Sequence, residues 1–284
     1  MLDTQQMQMV DLGSVGRMAF VEAGTEHNDH PPVLLVHGSL CDYRYWEPQM
    51  DALAAHRHVI AVSLPHYYPV PEQPAGLGFS IQTHVDALLS LIHDQQWGLV
   101  DLVGHSRGGC IAFHLASQDP SVLNKLMLAD PGGSLAVPDA EGNIPAPLKA
   151  AYAPTDPRML ATGLIESGNV EGGLRMFVDT VSRAGFWDRS SESFQTMARD
   201  NAQTLSMQIR DVLPLYTKAA ARMVTVPTLL LNGDKSAPTF VNTSKTLDSW
   251  MPYAQRAIIK GASHGMNLSH ASEFNRLVLQ FVGA

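Results

Sequence analysis

The chain has 284 residues, 45% of them hydrophobic, so it can bury a substantial core in one large domain or in one domain with an insertion. Its 19 basic and 27 acidic residues give a formal net charge of −8, which would repel a phosphate backbone and argues against a nucleic-acid partner. No apolar run approaches the ~20 residues of a membrane helix, and the first residues, MLDTQQMQMVDLGS, do not resemble a secretory signal. Cys41 and Cys110 lack the spacing of a zinc site or a disulfide framework. We therefore expect a cytoplasmic protein that is not attached to a membrane.

Short aliphatic runs alternate with amphipathic stretches along most of the chain. The runs predict strands near residues 17–23, 33–37, 57–63, 98–103, 124–130, 227–232 and 255–260. The amphipathic stretches predict helices near residues 44–55, 80–96, 106–118, 238–250 and 271–282. Because strands and helices alternate, the sequence predicts an α/β fold with a mostly parallel sheet covered by helices on both faces.

The alternation is interrupted between Asp130 and Pro227, where the sequence has helical periodicity and no convincing strand. A structureless loop of that length would be implausible in a compact domain. We therefore predict a helical cap at residues 135–223, inserted into a core domain that consists of residues 1–134 and 224–284.

The stretch LVGHSRGG has the pattern G-x-S-x-G, formed by Gly104, Ser106 and Gly108. It follows an apolar strand directly and precedes an amphipathic helix, which is the setting of a nucleophile elbow. There the serine adopts a strained backbone conformation, and small neighbours allow the chain to approach itself closely. The alternative is a glycine-rich turn whose serine only caps the helix. The strand–turn–helix context favours the nucleophile.

A serine hydroxyl needs a base, and the base needs a group that orients it. His264 lies in the loop GASHG after the last predicted strand, and Asp234 ends the preceding strand in LLNGD. The order Ser, Asp, His along the chain is the one expected when the nucleophile follows a strand in this way. Asp130, at the end of the strand LMLAD, is an alternative acid, but the Gly-Asp turn at Asp234 fits the pattern better.

Together, the motifs VLLVHGS, GHSRGG, LLNGD and GASHG resemble the α/β-hydrolase superfamily, and the resemblance extends over almost the whole chain. It implies an esterase- or lactonase-like member with a helical cap and a catalytic triad of Ser106, Asp234 and His264. It also implies that the backbone N–H groups of Ser39 and Arg107 form an oxyanion hole. Neither a metal nor an organic cofactor is expected.

Several residues are predicted to contact substrate, although most apolar residues of a helical cap simply pack the cap. The segment SLPHYYPVPEQP departs from the Asp-x-x-Gly-x-Gly pattern of many relatives, and its aromatic side chains could face the active-site mouth or cover the sheet edge. The full set of predicted pocket residues is Leu40, His66, Tyr67, Met176, Phe177, Trp187 and Met266.

The favoured function is hydrolysis of a small to medium, largely apolar carboxylic ester or lactone through an acyl-enzyme on Ser106. A C–C bond hydrolase of meta-cleavage-type diketones is the nearest alternative, although the loop HGSLCDYRYW is poorer in glycine and proline than is usual for those enzymes. Perhydrolysis and cofactor-free oxygenation are further possibilities on this fold. A protein of another class, a slow-turnover ligand-binding signalling protein, would keep the same triad. The expected partner is a small-molecule substrate, and the oligomeric state stays open.

Overall fold

The computed structural model describes residues 7–136 and 154–283, which contain one eight-stranded sheet. Its strands are β1 (Gln8–Asp11), β2 (Arg17–Ala23), β3 (Val33–Val36), β4 (Val59–Ser63), β5 (Val100–His105), β6 (Leu123–Ala129), β7 (Thr228–Gly233) and β8 (Ala254–Ile259). The strand order is β1-β2-β4-β3-β5-β6-β7-β8. β2 runs antiparallel to both β1 and β4, and all other neighbours are parallel. The predicted fold class is confirmed.

The central strands are buried on both faces, which explains their nearly continuous apolar sequences. In β3, Leu34 and Val36 belong to the apolar cluster on one face, whereas Val33 and Leu35 belong to the cluster on the other. This alternation follows from the two-residue period of a strand. Helices must therefore pack against both faces of the sheet.

Twelve helices are present in the described residues. They are α1 (Glu47–Ala54), α2 (Ile81–Asp94), α3 (Arg107–Gln118), α4 (Pro157–Glu166), α5 (Val170–Val181), α6 (Phe186–Arg189), α7 (Glu192–Asp200), α8 (Gln203–Arg210), α9 (Lys218–Met223), α10 (Pro238–Trp250), α11 (Met266–Ser269) and α12 (Ala271–Val282). Buried side chains of α2, α3, α9 and α10 join the cluster on one face of the sheet, and those of α1, α11 and α12 join the cluster on the other. The sheet is thus covered on both sides, as predicted.

The predicted strands and helices of the core all occur, but the prediction missed β1. Most residues of Gln8–Asp11 are exposed, so this strand has no apolar run that could reveal it. It pairs with β2 as a hairpin at the edge of the sheet, where a strand needs no apolar face.

The helices α4–α9 lie between β6 and β7, in the part of the chain predicted to form a cap. They have an apolar cluster of their own, which includes Leu174, Trp187 and Leu205. Further along the chain, the fully buried Tyr216 belongs to the core cluster, and α9 packs against α3. The division into a cap at 135–223 and a core stays a prediction, and residues 137–153 of that cap lie outside the described residues.

Candidate active site

Ser106 stands at the sharp turn between β5 and α3. Its backbone has φ 55° and ψ −120°, a strained conformation for a residue with a side chain. The turn closes tightly, because a Cβ on Gly104 would lie 2.4 Å from the carbonyl oxygen of Gly108. A Cβ on Gly108 would lie 2.3 Å from the carbonyl oxygen of Val36. Close backbone contacts therefore require glycine at both positions that flank the serine in the G-x-S-x-G pattern.

His264, in the loop between β8 and α11, contacts both Ser106 and a carboxylate. Its Nε2 lies 3.0 Å from the Oγ of Ser106, and its Nδ1 lies 3.1 Å from the Oδ2 of Asp130. An ionised carboxylate only accepts hydrogen bonds, so Nδ1 carries the proton and Nε2 is free to accept one from the serine. The three side chains have the geometry of a Ser-His-Asp triad.

The structure corrects the choice of acid, because Asp234 does not contact His264. Asp234 is exposed, and its Oδ1 accepts a hydrogen bond of 2.7 Å from the backbone N–H of Gly261. The carboxylate therefore links the turn after β7 to the turn after β8. In the sheet, β6 lies next to β5, whereas β7 is one strand farther away. Asp130, which follows β6, is therefore nearer to Ser106 than Asp234, which follows β7.

Residues from the turn after β7 hold Asp130 in place. The Nδ2 of Asn232 donates to Oδ1 over 2.7 Å, and the Oγ of Ser236 donates to Oδ2 over 2.6 Å. Asp130 is fully buried, and its φ of 42° is unusual for a residue with a side chain. With the bond to His264, both carboxylate oxygens are satisfied, which fixes the orientation of the acid. The sequence motif LLNGD thus contributes Asn232 as a hydrogen-bond donor to Asp130, whereas Asp234 does not contact His264.

Aromatic rings hold the imidazole of His264 on two sides. The ring of Phe240 stacks on it with a centroid distance of 4.2 Å and an interplanar angle of 12°. The ring of His105 lies 4.6 Å away, and its Nε2 donates to the carbonyl oxygen of His264 over 2.7 Å. Burial lowers the pKa of His105 to about 3, so this histidine stays neutral near pH 7. It therefore supports the base without adding a positive charge beside it.

The loop after β3 brings Ser39 close to the nucleophile. A Cβ on Gly38 would lie 3.0 Å from the Cβ of Ser106, so the loop packs directly against the elbow. His37 braces this loop, because its Nδ1 lies 2.8 Å from the carbonyl oxygen of Gly38 and its Nε2 accepts from the N–H of Leu64 over 3.2 Å. Burial lowers the pKa of His37 to about 4, which keeps it neutral in this role. Ser39 borders the space above Ser106, and Arg107 is the first residue of α3.

Two cavities of different size meet at Ser106. The smaller has a volume of about 50 Å³ and mostly apolar walls, which include Leu40, Val178, Phe186, Phe194 and Leu268. The larger has a volume of about 440 Å³, and among the described residues its walls include Arg107, Arg158, Gln208, Thr239 and Phe240. Ser39, Phe177 and Val181 border both. The nucleophile is therefore accessible from two chemically distinct sides.

Only two of the predicted pocket residues, Leu40 and Phe177, line these cavities. The fully buried Tyr67 instead packs its ring against His37, and His66 packs against Phe79. Trp187 and Met176 belong to the apolar cluster of the cap helices, and Met266 belongs to the core.

The prediction missed most of the apolar wall. It includes Val178, Val181, Phe194 and Leu268, in addition to Phe186. Val181 lies four positions after Phe177 on α5, so helical periodicity could have suggested it, whereas Val178 is the next residue and has no such spacing. Phe194 and Leu268 come from separate elements, α7 and α11, and no local pattern marks them.

No helix in the described part of the chain combines the length and apolar character needed to cross a membrane. Within residues 7–136 and 154–283, His, Cys, Asp and Glu side chains do not gather in groups of three that could hold a metal ion.

Comparison with known proteins agrees with this geometry. A model of the alpha/beta hydrolase family matches residues 33–277, which include the elbow, the histidine loop and the cap helices. The chain belongs to the alpha/beta hydrolase family. The predicted superfamily is thereby confirmed, and an alpha/beta hydrolase is expected to carry its nucleophile on the elbow that Ser106 occupies.

The relatives of this alpha/beta hydrolase are named for different substrates. It is 26% identical over 261 residues to a pimeloyl-[acyl-carrier protein] methyl ester esterase of Neisseria meningitidis, covering 88% of this chain and 93% of the relative. It is 27% identical over 282 residues to a 2-hydroxymuconate semialdehyde hydrolase of Pseudomonas sp., covering 94% of each. The crystal structure of an enol-lactonase from Burkholderia xenovorans superposes with a TM-score of 0.79 at 15% identity, covering 98% of this chain and 100% of that one. That last likeness concerns the fold alone.

Proposed function

We propose that the protein is a serine hydrolase of carboxylic esters or lactones that forms an acyl-enzyme on Ser106. The observation that carries this proposal is the chain of contacts from Ser106 Oγ to His264 Nε2 and from His264 Nδ1 to Asp130. The triad acid in this proposal is Asp130, which is buried, rather than the exposed Asp234. The named activity of the methyl ester esterase among the similar proteins supports the same bond class.

In the first half of the reaction, Ser106 Oγ attacks the ester carbonyl carbon while its proton passes to His264 Nε2. Asp130 stabilises the imidazolium that forms. The carbonyl oxygen becomes an anion, which the backbone N–H groups of Ser39 and Arg107 would bind, each contributing about 3 kcal/mol to the transition state. The bond between carbonyl carbon and alkoxy oxygen then breaks, and the alcohol leaves with the proton from Nε2.

In the second half, water attacks the acyl group on Ser106 and transfers a proton to His264. The bond to Oγ breaks, Ser106 recovers its proton from Nε2, and the carboxylic acid is released. The step needs a base that is free at neutral pH, and it needs no partner other than water.

A second candidate is hydrolysis of a C–C bond in a dienoic diketone or semialdehyde. What favours it is the similarity to the 2-hydroxymuconate semialdehyde hydrolase over nearly the full length of both chains. The two candidates share the triad, so substrate tests must separate them.

The test compares turnover of p-nitrophenyl acetate, p-nitrophenyl butyrate, aliphatic methyl esters and 2-hydroxymuconate semialdehyde. We expect the esters to be cleaved, and we expect Ser106→Ala to lower kcat about a millionfold. Labelling with a phosphonate should modify Ser106 in the wild-type protein and nothing in Ser106→Ala. Retention of most esterase activity in Ser106→Ala would contradict the acyl-enzyme, and faster turnover of the semialdehyde than of any ester would favour the second candidate.

His270 offers a matched control for the base. It lies six positions after His264, and its Nδ1 bonds only locally, 2.9 Å from the Oγ of Ser269. His264→Ala should abolish turnover, whereas His270→Ala should leave kcat within about twofold. Stoichiometric phosphonate labelling without turnover in the wild-type protein would instead indicate the slow ligand-binding protein. The small-molecule partner and the cytoplasmic location stay predictions.

A further inference from the structure

The two cavities at Ser106 differ in their relation to the base. His264 is part of the wall of the small cavity, whereas the described wall of the large cavity reaches the stacked ring of Phe240 but not His264 itself. In the proposed reaction, the alcohol oxygen must receive its proton from His264 Nε2, because His264 is the acid that contacts Ser106 Oγ within residues 7–136 and 154–283. The alcohol therefore departs on the side of the small cavity.

We propose that this hydrolase acts on esters of a very small alcohol, whose alkyl group occupies the small cavity, and that the acyl chain occupies the large cavity. The proposal rests on the proposed ester hydrolysis and adds the class of substrate. It follows from the volumes of the cavities and from their walls.

The volume of the small cavity limits the alcohol. One water needs about 10–15 Å³ of such space, so about 50 Å³ accepts only a few non-hydrogen atoms. Its walls are mostly apolar, with Val178 and Phe194 facing the space near His264. Methyl and ethyl groups match both the size and the polarity. The large cavity, at about 440 Å³, lies within the range of ordinary ligand pockets and can hold a medium-length acyl chain.

The experiment measures kcat/KM for the methyl, ethyl, butyl and benzyl esters of octanoic acid. We expect the methyl and ethyl esters to exceed the butyl ester at least tenfold. A preference for the butyl or benzyl ester would overturn the proposal.

Two variants separate the cavities. Phe194→Ala enlarges the small cavity and should raise the butyl-to-methyl ratio of kcat/KM at least tenfold without changing the acyl preference. Thr239→Trp changes an exposed residue that borders only the large cavity, and it should lower the octanoate-to-acetate ratio at least tenfold without changing the alcohol preference. If Phe194→Ala instead altered the acyl preference and Thr239→Trp altered the alcohol preference, the alcohol would occupy the large cavity and the acyl chain the small one.

Failure of the proposed function gives a different result, since the wild-type protein would then cleave none of the esters in a manner that depends on Ser106.

Discussion

The turns after β6 and β7 both carry an aspartate at the carboxyl end of a parallel strand, but their surroundings are opposite. Asp130 is fully buried and receives hydrogen bonds from Asn232, Ser236 and His264. Asp234 is exposed and accepts from one backbone N–H, that of Gly261. Asp130 thus orients His264, whereas Asp234 links the turn after β7 to the turn after β8.

The contrast shows that the ends of neighbouring strands contribute to one hydrogen-bonded cluster. The turn after β6 carries the aspartate that contacts His264, and the end of β7 with the turn after it supplies two of the donors that hold this aspartate, Asn232 and Ser236. The motif LLNGD therefore contributes to the cluster through Asn232, although the carboxylate of Asp234 does not contact His264.

Among the substitutions that test this comparison of the two aspartates, Asp130→Asn should have the largest effect. The amide would bond to Nδ1 of His264 in the wrong tautomer and leave Nε2 protonated, so kcat should fall about 10⁴-fold. Steady-state kinetics with p-nitrophenyl butyrate measures this loss. A small effect here together with a large one in Asp234→Asn would restore the acid predicted from sequence.

A strong effect of pH on stability should follow from the burial of His37 and His105. Burial lowers the pKa of His37 to about 4 and that of His105 to about 3, whereas both have values near 6.5 in the unfolded chain. Between pH 6.5 and about 4 the unfolded state binds more protons, so stability is present above pH 6.5 and is lost as the pH falls. Each histidine should remove up to about 1.4 kcal/mol from the free energy of unfolding per pH unit.

Urea unfolding at pH 7.5, 6 and 5 measures this slope. His105→Gln should make the pH dependence shallower, whereas substitution of the exposed His56 by Gln should leave it unchanged. A free energy of unfolding that stays constant from pH 7.5 to 5 would contradict the neutral, buried state of these histidines.

A smaller effect is expected from Ser236→Ala, which removes one of the bonds that hold Asp130. The bond is made to a charged acceptor, so its loss should lower kcat about tenfold with little change in KM. Ser236→Thr keeps the hydroxyl and should recover most of the rate. If Ser236→Ala and Ser236→Thr were equally impaired, packing rather than the hydrogen bond would explain the loss.

The smallest effect should come from Asp234→Asn. The amide oxygen can still accept from the N–H of Gly261, so we expect kcat to stay within about twofold and the free energy of unfolding to change by about 0.5 kcal/mol or less. Thermal unfolding and esterase kinetics on the same preparation measure both quantities. A loss of more than tenfold in kcat would show that the exposed turn contributes to the chemistry.

Much of the core followed from local sequence. The aliphatic runs reveal strands such as β3 and β5, because both of their faces are buried. G-x-S-x-G identifies the elbow, because a side chain on Gly104 would collide with the backbone of Gly108 in the same turn. β1 was not predicted, because an exposed edge strand has no buried face and therefore needs no apolar run. The substrate cavities were also largely unpredictable, since Phe194 and Leu268 arrive there from distant elements.

The sequence by itself determined the α/β sheet, the position of Ser106 at the elbow and the loop that carries His264, because each depends on local periodicity or on the space available within one turn. Only the tertiary structure decided that Asp130 rather than Asp234 contacts His264, and that Ser106 lies between a small cavity and a large one. The physical reason is that both depend on which strands are neighbours and on which side chains from separate elements converge. The distance along the chain does not encode those relations.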